Sequence, residues 1–183
     1  MVVSALAFAL LGRVGTLPFV RAVGTADVIV TGQVDHIVWF EGHRFANLRI
    51  ERTLKGVADP NLWFLAESTW ACDGSGATSG ESGTFLLYRI DAKRHWIDGN
   101  LTRPGAIRRA AESAPVYSLG RAGEGRIVEG REERPGKLGK CWIYGGFIMP
   151  HAVPPQFDAS GRPFYSRDRI AIAVAFCLRG TKG

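Results

Sequence analysis

The chain has 183 residues, 46% of them hydrophobic and 22% charged, a balance that excludes wholesale disorder and leaves room for one domain with a true core. Its 23 glycines and 9 prolines are the turn punctuation of a fold built from many short strands. The net charge of +6 is unevenly placed: residues 1–91 hold 7 Lys+Arg against 9 Asp+Glu, and residues 92–183 hold 16 against 8. Such a basic second half either meets an anionic partner or is a solvated surface.

In chain order, Val2 to Leu11 (VVSALAFALL) is an apolar run of ten, too short to span a bilayer and the right length for the core of a secretory signal. Val20-Arg21-Ala22 has the small-x-small pattern of a cleavage site, so residues 1–22 read as a signal peptide or its remnant. No Lys or Arg precedes the run, and an N-terminal helix is the alternative reading. A signal implies a secreted or periplasmic protein, with no transmembrane span expected.

The stretch from Ala26 to Gly56 organises the rest of the chain. Val28, Val30, Gly32 and Val34 share one parity, and Ile29, Thr31, Gln33 and Asp35 the other, which predicts a half-buried strand over Val28–Phe40. Gly32 suits a bend or bulge in that strand. Glu41-Gly42 predicts a hairpin turn, and Phe45, Leu48, Ile50 and Leu54 carry a second strand closed by Leu-Lys-Gly. Asn61–Glu67 and Thr84–Ile90 predict a third and a fourth strand around the polar loop WACDGSGATSGESG. His95-Trp96-Ile97 reads as a short fifth strand. A helix is expected over Ala106–Ala114, with Thr102 as cap, Pro104 in the first turn and Pro115 as stop. Gly120 to Gly139 reads as a hairpin tip or loop, Cys141–Met149 as a buried apolar segment, and His151–Pro163 as loop. Ile170 to Leu178 alternates large with small residues, which favours a strand, although Ser166 as cap and Gly180 as stop also fit a helix.

Five strands around one glycine-rich loop predict a mainly β fold: a small closed OB-like barrel over residues 23–100, with one or two helices and a basic, β-rich extension over 101–183 packed on it. The opening Ala26-Asp27 with Gly32, the Leu54-Lys55-Gly56 closure, and Cys72 followed by Gly80-Glu81 and the apolar strand Phe85–Tyr88 resemble the bacterial relatives of the netrin-like module. That module is the OB-fold domain typified by the tissue inhibitors of metalloproteinases. The resemblance spans residues 23–100 and rests on structural motifs. Inhibitors of that family chelate the protease zinc through an N-terminal cysteine, whereas here Val23-Gly24-Thr25 follow Ala22. The resemblance therefore does not extend to zinc-chelating inhibition.

No catalytic constellation is legible. In Gly74–Ser82 a glutamate, Glu81, stands where a phosphate loop needs lysine, and neither Ser75 nor Ser79 sits in a nucleophile elbow. His36, His43, His95 and His151 lack metal-ligand spacing, although His36 and His43 flank one hairpin. Glu132-Glu133 lie between arginines and solvate a loop. Of the three cysteines, Cys72, Cys141 and Cys177, the expected disulfide joins Cys141 to Cys177; three reduced, buried thiols are the alternative. No cofactor, metal or catalytic residue is assigned.

The leading expectation is an exported, non-enzymatic binding module whose contact surfaces are the Glu41–Gly42 turn, the Cys72–Gly83 loop and the basic second half. Its partner is an unknown protein or an anionic envelope polymer. A single-stranded nucleic-acid binder is the runner-up. It is disfavoured because adjacent rings (Trp39-Phe40, Trp63-Phe64) point to opposite faces and the predicted barrel carries no basic excess. An uncharacterised hydrolase comes third.

Overall fold

The computed structural model describes residues 17–40, 42–60, 62–67, 75–90, 115–120, 123–129 and 147–180, and the backbone of 140–141. Leu17–Pro18 (β1) leads into a short helix, Phe19–Thr25 (α1), in which Phe19, Ala22 and Val23 recur at helical spacing and are fully buried. The expected cleavage point between Ala22 and Val23 falls inside this packed helix, so in the folded chain both sides of that peptide bond belong to the core.

Val28–Phe40 (β2) and His43–Lys55 (β3) form the predicted hairpin, with Gly42 at φ 84° in its turn. Register shifts interrupt the pairing at Ile29/Val30, Thr31/Gly32 and Val34/His36. A Cβ on Gly32 would collide with the Arg49 carbonyl, so the bulge here needs glycine. Leu62–Leu65 (β4) runs antiparallel to β3, and Ser82–Ile90 (β5) antiparallel to β2. Val116–Ser118 (β6) joins them, parallel to β4 and antiparallel to β5. Pairing thus runs continuously through β2, β3, β4, β6 and β5 and back to β2, a ring of five strands. Arg126–Val128 (β7) adds to β5 beside the ring.

The fifth strand therefore comes from Val116–Ser118, past residue 100 where the predicted barrel ended; His95–Ile97 and the predicted helix over Ala106–Ala114 lie outside the described residues. Lys140–Cys141 (β8), Gln156–Phe157 (β10) and Pro163–Ser166 (β11) make a small three-stranded sheet, and Phe147–Ile148 (β9) pairs in parallel with β1. Residues 170–178, where alternation favours a strand and the Ser166 cap and Gly180 stop leave a helix open, lie in the helix Arg167–Gly180 (α2). Its cap is the predicted one, since the Ser166 Oγ accepts from the Arg169 N–H at 3.3 Å. Burial of Ile170, Ala173, Val174 and Cys177 selects the helical period over the alternating one.

Side chains sort into three apolar clusters. Val28, Val30, Val34, Leu48, Phe64 and Phe85 fill the inside of the ring. Ile29, Leu86 and Ile127 point outward and are covered by α1 and α2, so the first half of β2 is buried on both faces. Phe45, Leu65, Ile90 and Val116, flanked by Val38 and Trp63, form a third cluster. The fold is mainly β with two helices among the described residues, and none of these helices is long and apolar enough to cross a membrane.

Candidate functional site

The turn of the β2–β3 hairpin exposes two adjacent aromatic rings. Trp39 is 70% exposed and Phe40 43%, at the end of a strand whose other half is fully packed. Alternation puts them on opposite faces: Phe40 rests edge-on against Phe45 with ring centres 6.5 Å apart, and Trp39 pairs across the hairpin with Arg44. Beneath the tip His43 is buried, and its Nδ1–H donates to Glu67 Oε2 at 3.0 Å. The same carboxylate accepts from the Arg44 N–H at 3.5 Å, and the Arg44 guanidinium donates to the Ala66 carbonyl at 3.0 Å. These contacts tie the turn to the end of β4 and hold the two exposed rings on a supported base.

His36 and His43 do not converge. His36 is exposed, hydrogen-bonded to Asp35, and meets Trp63 edge-on at 5.2 Å, while His43 is buried against Glu67. Among the described residues no group of three His, Cys, Asp or Glu side chains is placed to hold a metal.

The residues that carried the resemblance meet as structural joints. Lys55 Nζ donates to the carbonyls of Val23 (2.7 Å), Gly24 (2.9 Å) and Ala26 (2.5 Å), capping the C-terminal end of α1. Burial pushes the Lys55 ammonium below its ordinary pKa, and the Asp27 carboxylate opposes this. Asp27 Oδ2 accepts from the Arg89 N–H at 2.7 Å, buried Ala26 donates its N–H to Ala22, and partly buried Leu54 packs on the cluster beneath α1 and α2. Gly56 takes φ 75° and passes so close to the Asp27 carbonyl that no Cβ fits. Gly80, at φ 82°, donates to the Val34 carbonyl. Glu81 is buried and binds the Arg126 guanidinium through both oxygens, each at 2.5 Å.

The loop ending at Gly83 is anchored in its described part. Ser79 Oγ donates to the Asp35 carbonyl at 2.7 Å, and Ala77 is buried among the residues that fill the ring. Cys72 lies outside the described residues. Cys177 is a free, buried thiol on α2, so the expected Cys141–Cys177 bridge is not formed; burial pushes its thiol pKa up. The sequence reading missed Arg126, Glu67 and Arg167. Arg167 bonds both Glu129 and Glu51, and each of these contacts joins residues too far apart in the chain for any local spacing to reveal. Compared with known protein families, curated proteins and solved structures, the chain matches none of them.

Proposed function

We propose that this chain is an exported, non-enzymatic binding module of the netrin-like OB type, and that it grips a protein partner with the tip of the β2–β3 hairpin. The observation that carries the binding reading is Trp39, a large ring 70% exposed on a turn braced by His43, Glu67 and Arg44. Tryptophan presented on a rigid support is the residue type that dominates protein interfaces, because it brings large apolar area with few rotamers to freeze. The OB reading is supported by a five-stranded ring closed by a parallel pair between β4 and β6.

The test is retrieval from an envelope extract by the immobilised full chain and by its Trp39→Ala/Phe40→Ala variant. A bound protein held by the first and lost by the second is the expected result. A protein retained equally by both overturns the tip as the contact. Among the described residues Trp39 and Phe40 lie on opposite faces and Trp63 is part of a packed cluster, an arrangement that disfavours the nucleic-acid reading. Binding to a labelled oligonucleotide that weakens steeply with salt would favour that reading instead.

A further inference from the structure

The helix α2 carries nine consecutive apolar residues, Ile170 to Leu178, and the described residues pack against only one of its faces. A helix that is apolar all round is ordinarily buried all round. Here Ile170, Ala173, Val174 and Cys177 are buried, whereas Ile172 is 55% exposed and Phe176 44%, with Ala175 exposed between them. On the same outer stripe lie two charges, Asp168 one turn before Ile172 and Arg179 one turn after Ala175, both exposed. Neither side chain makes a hydrogen bond or ion pair with another described residue.

The order of this stripe is self-complementary. Turned end for end about a two-fold axis at its middle, it sets Asp168 of one copy opposite Arg179 of the other and Ile172 level with Ala175. Each charge then faces its opposite, twice by symmetry, with Ile172 and Ala175 in the layers between them. We propose that the outer face of α2 is a self-association surface on which a second copy of this chain docks with its own α2 antiparallel. One helical stripe per copy is smaller than the roughly 1,000 Å² buried in stable complexes, so the dimer is a weak, concentration-dependent one. This surface is separate from the β2–β3 tip, and its test does not depend on what the tip binds.

The experiment is sedimentation of the full chain over a concentration series, with far-UV circular dichroism confirming that each variant is folded. A reversible monomer–dimer equilibrium is expected, abolished by Ile172→Glu/Phe176→Glu. Reversing one charge, as in Arg179→Asp, is expected to weaken dimerisation about tenfold by placing like charges together at both ends. The double reversal Asp168→Arg/Arg179→Asp is expected to restore it. A monomer at every concentration overturns the proposal, as does a dimer indifferent to the Ile172 and Phe176 changes. Failure of the double reversal to rescue overturns the antiparallel arrangement. Flotation of a monomeric chain with phosphatidylglycerol vesicles, lost in Ile172→Glu/Phe176→Glu, would assign the face to lipid instead.

Discussion

Lys55 ties the end of β3 to the end of α1. At the end of a seven-residue helix the last carbonyls have no helical N–H to accept from, and its ammonium supplies three donors to that end. Lys55→Met keeps the aliphatic stem and removes the cap, and is expected to cost about 2 kcal/mol in urea unfolding, the range for charged hydrogen bonds. An unchanged midpoint would rule the cap out as a source of stability. Tyr88 gives a second test at this scale. Burial pushes its phenol up to about 12, and its hydroxyl reaches the Ala22 carbonyl at 3.4 Å. Below about pH 10 the phenol is neutral in both folded and unfolded chains and its contribution is fully present. Between there and pH 12 the unfolded chain ionises first, so stability falls with rising pH. Tyr88→Phe is expected to make the alkaline decline shallower, as followed by thermal melts from pH 9 to 12; an identical decline would place the ionising group elsewhere.

The elements differ in how far their own residues announced them. The β2–β3 hairpin was legible because Val28, Val30 and Val34 repeat at the strand period and a glycine stands at its turn. Residues 170–178 misled because large-small alternation and helical burial coexist in a segment apolar on every side. Only packing against α1 and the ring decides between them. The fifth ring strand was missed because Val116-Tyr117-Ser118 is too short to show a period, and its place is fixed by β4 and β5 far away in sequence. Helical placement of Cys177 has a chemical consequence. Its thiol is free, buried and pushed upward in pKa, so iodoacetamide at pH 8 is expected to leave it unmodified in the native protein and to label it after unfolding in guanidinium. Rapid native labelling at Cys177, read by peptide mass spectrometry, would contradict its burial on α2.

At the scale of the molecule, one ring is packed from two sides. Its interior is filled by its own side chains, and its outer face near β2 and β5 is sealed by the two helices. The motif residues Ala26, Asp27, Gly32, Lys55, Gly56, Gly80 and Glu81 all serve this construction, which is why they signalled a fold and no chemistry. The candidate contact surface was only half legible. Trp39 and Phe40 were visible as rings beside a turn, but their exposure depends on where Phe45, Trp63 and Glu67 come to rest. Among the described residues, pairs of large apolar side chains stay exposed at the hairpin tip and on the outer stripe of α2, while Val20, Val57, Ile148 and Phe157 are exposed elsewhere. The tip's role is tested most directly by placing a photo-crosslinking amino acid at position 39 in the full chain in its native host. Position 57, where Val57 is 90% exposed away from the tip, serves as the control. A discrete protein adduct formed from position 39 and not from position 57 is expected; no adduct from 39, or the same adduct from both, would contradict a partner held at the hairpin tip.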